Sequence, residues 1–281
     1  GLGTPIGSPP NLVFMQVYQQ TTGESLGFSD WAVFGIPTVL LLLPLTALWL
    51  ARGLADTPPA ALPVLGPWRA AERRVLGVFA LVALAWVTRS EPFGGWQAWL
   101  GIPQANDASV ALLGVMRLAA LPSGAGRRLL TWETAERIPW GALILFGGGI
   151  ALATAFENSG LSDWLASELQ GVVDAPLVLR IFLIALAVSL LSEIASNTAS
   201  AVLLMPLLAA AAKAAGIDPA LLMVPAVLAA SCAFILPVAT APNAIVFGSG
   251  MVDGRDMMRY GIVVNLVAIA VITLVCATIL G

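Results

Sequence analysis

The chain has 281 residues, 59% of them hydrophobic and 10% charged, with a mean hydropathy of +0.92 and a formal net charge of −3. Soluble domains carry about 25% charged residues, so this composition excludes a soluble protein, and the absence of a basic patch excludes a nucleic-acid partner. There is no His, which removes the commonest general base and metal ligand.

The apolar runs are continuous over about 20 residues and do not alternate, which marks membrane-spanning helices rather than strands of a barrel. The first residue is Gly1, and the chain opens inside a motif, as a piece of a longer protein would. Gly7-Ser8-Pro9-Pro10-Asn11 is followed by an apolar run over 12–18, read as the second half of a broken helix. Residues 31–50 form a span with Pro37 and Pro44 inside it, and an Arg-bearing linker over 52–74 follows. Further spans are expected over 75–87, 108–121 and 138–156, the last running through Gly147-Gly148-Gly149. Residues 160–170 read as an interfacial amphipathic helix, with Leu161, Trp164, Leu165 and Leu169 on one face.

Two apolar arms, 176–191 and 199–212, flank the polar stretch Ser192-Glu193-Ile194-Ala195-Ser196-Asn197-Thr198. A helix over 219–236 is then broken at 237–242 and resumes over 243–251, before a last span over 262–280. Nine of the thirteen Lys and Arg residues lie around 51–74, 122–138 and 252–259. Basic loops stay in the cytoplasm, so the two arms enter from the outer side as a re-entrant hairpin with its tip at Ser196-Asn197-Thr198. Cys232 and Cys276 read as small buried hydrophobes.

The phrase at Gly7 recurs at Ala239-Thr240-Ala241-Pro242-Asn243. Pro breaks a helix and pushes its predecessor out of helical conformation. Two such breaks in related positions point to a secondary transporter with its site between two repeats. Half-helix amides favour an anion and half-helix carbonyls favour a cation. Ser196, Asn197, Thr198 and Thr240 thus offer neutral donors for a carboxylate or similar oxyanion. Carbonyls at Ala195 and Ala239, with the Ser192 and Asn197 side chains, offer neutral oxygens for Na⁺, which would offset the anion's charge. The plainer alternative is a polar helix cap and a simple kink.

These motifs, with Gly3-Thr4-Pro5-Ile6 before the first break and Pro139-Trp140 through Ser159-Gly160-Leu161, resemble the divalent anion:sodium symporter family, the Na⁺/dicarboxylate and Na⁺/sulfate cotransporters. The resemblance covers the whole chain. It implies an all-α integral membrane protein of inverted-repeat, elevator type, multi-pass in the inner cell membrane and dimeric in full length. It implies that Ser196, Asn197 and Thr198 hold one substrate carboxylate, lined by Thr240 and Ala241, with Ser8 and Pro9 standing in the first break where Thr240 and Ala241 stand in the second. It also implies a Na⁺ site from Ser192, Ala195, Asn197 and Ala239, with Gly7 as the matching carbonyl of a second Na⁺ site. No organic cofactor is implied.

The expected organisation is the end of a first repeat (1–51), the linker (52–74) and a second repeat (75–281). That second repeat divides into scaffold spans 75–170, hairpin 175–212, broken helix 219–252 and last span 260–280. The tip precedes Ala239 by 43 positions, and the same offset from Gly7 falls before residue 1. The first hairpin is therefore expected to be missing, and the 281-residue chain alone is expected not to transport. The leading function is Na⁺-coupled symport of a C4-type dicarboxylate. Alternatives are a Na⁺/sulfate symporter, a dicarboxylate antiporter or a non-transporting remnant. An intramembrane enzyme lacks a convergent acid, base or metal set. Glu193 is expected to cap the second arm or pair with Arg180 or Lys213, with cation or proton coupling as the alternative. Asn11 and Asn243 are expected to satisfy backbone freed by the breaks. Gly147-Gly148-Gly149 is read as a close-packing surface, and Trp31, Trp86, Trp96, Trp99, Trp132 and Trp140 as interface anchors.

Overall fold

The structure, a computed structural model, describes residues 1–52, 66–90, 94–124, 126–137, 140–168 and 170–281. Parts of the expected linker, the Pro139 motif position and Leu169 lie outside the described residues. Among the described residues all regular structure is helical, beside an isolated bridge between Pro122 and Arg128.

A short 3₁₀ turn, Pro5–Gly7, leads into α1 (Pro9–Thr22). Then come α2 (Phe28–Leu50), α3 (Ala70–Val87), α4 (Gly95–Trp99), α5 (Asp107–Ala120), α6 (Trp132–Ala135) and α7 (Trp140–Ser159). The last stretch holds α8 (Leu161–Glu168), α9 (Gln170–Val173), α10 (Leu177–Ile194), α11 (Asn197–Ala214), α12 (Ala220–Ala230), α13 (Ala241–Gly248) and α14 (Gly254–Ile279). Among the described residues, α2, α10, α11 and α14 are long and apolar enough to cross a membrane by length and composition. Pro37 and Pro44 sit inside α2 without ending it. In a membrane helix, neighbouring groups can re-satisfy the backbone that proline frees.

The chain divides into two compact units. The first comprises Gly1–Leu26, Trp31–Ala55 and Ala142–Gly281. Its centre is α12, in which every residue but Leu221 is buried. A helix that is hydrophobic all round belongs inside a bundle, and α12 packs against α1, α10, α11 and α14. The two hairpin arms touch each other little. They embrace α12 from two sides and meet at their tip. Only eleven residues long, α12 spans about 16 Å at 1.5 Å per residue, roughly half a bilayer core.

At Gly147 and Gly148 a side chain would meet no described residue within 4 Å. One sequence expectation fails in this unit: α12 ends at Ala230 rather than at 236. Pro237 reaches back only to Ala233, the carbonyl four residues earlier. The additional unwinding comes from side chains that capture the backbone of 232–236, described below. Trp164 on α8 is exposed (57%), and little else of the expected apolar face there falls among described side chains.

The second unit comprises Gly27–Asp30 and Asp56–Gly141. Its α3 and α5 pack together. Asn106 caps α5 by accepting from Ser109 N at 2.9 Å, which satisfies an orphan amide of the first turn. Arg89 pairs with Asp107 at 2.8 Å, and the Trp86 indole donates to the Asp107 carbonyl at 3.0 Å.

Candidate functional site

The hairpin tip is tighter than the sequence suggests. α10 runs to Ile194, Ala195 (φ −101°, ψ 160°) and Ser196 (φ −67°, ψ 146°) are extended, and α11 begins at Asn197. Ser196 is the N-cap, its Oγ accepting from Ala199 N at 3.1 Å. Asn197 and Thr198 therefore sit in the first turn of an eighteen-residue helix. First-turn amides have no partner within the helix and favour an anion. Ser196 is exposed, and Ala195, Asn197 and Thr198 are half-buried.

Just before the tip, Glu193 is only 4% exposed. It pairs with neither Arg180 nor Lys213 and does not cap the second arm. Its Oε1 accepts from Ile235 N at 3.0 Å, and its Oε2 accepts from Ile235 N at 3.1 Å and Leu236 N at 2.9 Å. Asn265 Nδ2 adds a third donor, at 2.8 Å to Oε1. The same Asn265 accepts from Phe234 N at 3.1 Å and donates to Ser189 Oγ at 3.1 Å, and Ser189 donates to the Cys232 carbonyl at 2.9 Å. The stretch between α12 and α13 is thus held by α10 and α14, one backbone group after another. These bonds are what keep residues 232–236 out of the helix.

Asn243 holds the same stretch from the far side. Its Nδ2 donates to the carbonyls of Ala233 (2.9 Å) and Leu236 (3.0 Å). Asn11 does the same in the first break, donating to the carbonyls of Gly1 (3.0 Å) and Thr4 (2.9 Å). In both cases the acceptors lie ten and seven residues upstream, so the two breaks superpose in register at an offset of 232 positions. Ser8 (φ −150°, ψ 138°) and Thr240 (φ −141°, ψ 155°) correspond as N-caps of α1 and α13. Both asparagines therefore satisfy backbone freed by the breaks, as expected.

The caps differ in use. Thr240 Oγ1 accepts from Asn243 N at 3.3 Å. Ser8 makes no side-chain cap and instead accepts from Ser231 Oγ at 3.2 Å, which brings the first break to the end of α12. Pro9 and Ala241 open their helices and are exposed, Gly7 is exposed, and Ala239 is buried. Among the described residues no hydrogen bond joins Ser196, Asn197 or Thr198 to Thr240 or Ala241. The tip is tied instead to 232–236, through Glu193.

Near the tip, three buried oxygens have no hydrogen-bond partner among the described residues: Ser192 Oγ, Asn197 Oδ1 and Ser200 Oγ. Leaving such a group unpaired costs about 1–3 kcal/mol, so a cluster of them marks a place where something else supplies the partner. Neutral hydroxyl and amide oxygens are donors suited to a hard monovalent cation, and carbonyls of unwound helices serve the same ion. Ser192 and Asn197 therefore fit the expected Na⁺ role by their chemistry. A cavity of about 680 Å³ lies elsewhere, against both breaks, lined by Leu2, Val39, Thr46, Phe234, Asn243 and Tyr260 among others, and none of the tip residues reaches it.

Several contributors escaped the sequence reading. Trp31 is no interface anchor. It is 1% exposed, and its indole donates to the Leu2 carbonyl at 2.7 Å within the first break. Trp99, Trp132 and Trp140 are exposed, while the Trp86 and Trp96 indoles donate to the carbonyls of Asp107 (3.0 Å) and Ala85 (2.8 Å). Asn265 carried a signal that went unused: a lone amide inside a strongly apolar span, where polar side chains are costly. Ser189 and Ser200 carried none, since serines are common in membrane helices.

The sequence model of the family described as "Sodium:sulfate symporter transmembrane region" matches residues 3–280. The chain belongs to this family of membrane transporters. It is 38% identical, over 98% of its length, to proteins named "Sodium-dependent dicarboxylate transporter SdcS" from Staphylococcus saprophyticus and Staphylococcus aureus. It spans 55% of the length of each.

Proposed function

We propose that the protein formed with this chain carries a dicarboxylate of the C4 type across the inner cell membrane, coupled to Na⁺. The observation that carries the reading is the cluster of unpartnered buried oxygens at the hairpin tip, Ser192 Oγ, Asn197 Oδ1 and Ser200 Oγ. Ser192 stands in the last turn of α10, and Asn197 and Ser200 stand in the first turn of α11, whose Asn197 and Thr198 amides have no partner within the helix. Neutral oxygens take the cation and backbone amides take the anion, and each lowers the cost of the other in a low dielectric. The relatives' names support both the dicarboxylate and the sodium dependence.

In this reading Ser196, Asn197 and Thr198 bind one carboxylate, with Thr240, Ala241, Ser8 and Pro9 lining the site. Na⁺ sits with Ser192, Ala195, Asn197 and Ala239, and the Gly7 carbonyl serves a second ion. The unit built on α12 moves as a body against a dimeric scaffold in lipid. No residue acts as a catalyst. Sulfate is the second reading, favoured by the family description.

Thermal unfolding of the purified chain tests the ion. NaCl should raise the midpoint relative to KCl at equal ionic strength, and succinate should raise it further only with Na⁺ present. Ser192→Ala should remove most of the Na⁺ increment. Equal midpoints in NaCl and KCl would refute the coupling ion, and a larger increment from sulfate than from succinate would refute the dicarboxylate.

A further inference from the structure

We infer that Asn265 is a positioning residue for the cation site: from α14 it fixes the shape of the second break, and so the place of Ala239. This rests on the Na⁺ reading above. Asn265 is 3% exposed and uses both ends of its amide, accepting from Phe234 N and donating to Glu193 and Ser189. One turn earlier on the same face, Gly261 brings α14 directly onto the break, for a Cβ there would collide with the Phe234 carbonyl. Helix and loop are therefore in backbone contact, and Asn265 is the side chain that locks them.

The lock passes to Ala239 through Leu236. Leu236 N is held by Glu193, which Asn265 in turn orients. The Leu236 carbonyl accepts from Asn243 Nδ2 (3.0 Å) and from Ala239 N (3.2 Å). Displacing Leu236 thus displaces the residue whose carbonyl the site needs. No part of the route depends on Asn265 touching the ion. Networks of this kind are sensitive to a single loss, because each member polarises and orients the next.

The chain contains its own reporter. Cys232 lies in the break and Cys276 in the body of α14, and both are fully buried. The test is the rate of maleimide labelling at each thiol, separated by peptide mass, for the purified chain in NaCl and in KCl. Loss of buried hydrogen bonds to Glu193 and Phe234 should raise the labelling of Cys232 in Asn265→Ala about tenfold or more, with Cys276 unchanged. Na⁺ should slow Cys232 in the parent, and Asn265→Ala should need about tenfold more Na⁺ for half protection.

Half protection at the same Na⁺ concentration in parent and variant would overturn the positioning role, even if the break opens. No Na⁺ effect on the parent would instead overturn the Na⁺ reading and the role that rests on it. If Cys276 labels as fast as Cys232 in Asn265→Ala, the variant is unfolded and a swap decides. Asn265→Asp combined with Glu193→Gln reverses the direction of their bond. Labelling of Cys232 in the swap within about threefold of the parent supports the inference. Labelling as fast as in Asn265→Asp alone overturns it.

Discussion

The two breaks are built by one rule and secured by different means. In each, an asparagine two residues into the second half-helix reaches back to carbonyls seven and ten positions upstream. In each, a neighbouring long helix presses a glycine onto the break, Gly35 against Leu2 and Gly261 against Phe234, which correspond at the same offset of 232. Four residues from that glycine stands the group that binds the break, Trp31 on α2 and Asn265 on α14. The indole only donates, and it takes a carbonyl. The amide also accepts, and it takes an N–H and recruits Glu193. Backbone shape is thus shared between the breaks, while the polarity of the clamp is not: the first is held through its carbonyls, the second through carbonyls and amides together.

The sharpest way to break the comparison is at the shared element. Asn243→Leu leaves the Ala233 carbonyl without a donor and takes one of two donors from the Leu236 carbonyl, Asn11→Leu does the same to Gly1 and Thr4, and each should lower stability by about 2–4 kcal/mol, read as the unfolding midpoint in denaturant. A much smaller loss at one site would show that the register is not energetically shared. Next comes the glycine contact: Gly261→Val forces α14 off the break and should cost about 2–3 kcal/mol, with Gly35→Val similar in size. Trp31→Phe keeps most of the ring and removes one donor, and should cost about 1 kcal/mol, less than Asn265→Ala in the same assay. The smallest effect belongs to the link between the breaks, where Ser231→Ala should cost about 0.5–1 kcal/mol. A loss above that of Trp31→Phe would make the link, rather than the clamps, the organising contact.

Much of this was readable in the sequence. Apolar runs located α2, α10, α11 and α14, because a membrane helix needs length and little else. Pro242 with Asn243, and Pro9-Pro10 with Asn11, marked both breaks, since Pro acts on its immediate neighbours. What stayed hidden was long-range. Glu193 was visible as a costly carboxyl in a span, yet its partners are backbone amides 42 and 43 positions away. No pattern of charges reveals a backbone amide as a partner, so the sequence points to the cationic side chains of Arg180 and Lys213 instead. Trp31 was misread for a related reason: an indole at a helix start looks the same whether its N–H meets headgroups or a buried carbonyl. The early end of α12 has a related cause, since Pro237 alone does not unwind 231–232 and the side chains that capture 232–236, Ser189, Glu193, Asn243 and Asn265, come from other elements.

The double reach of Asn243 has a consequence for how this segment can vary. Its amide spans two carbonyls whose separation along the chain is fixed, so the stretch from Ala233 to Asn243 behaves as a ruler. Residue types along it can change wherever the backbone alone is used. Inserting or deleting one residue between Leu236 and Asn243 would carry the amide away from both carbonyls at once. The segment should therefore tolerate substitution far better than any change in its count of residues, although in outline it is only a loop.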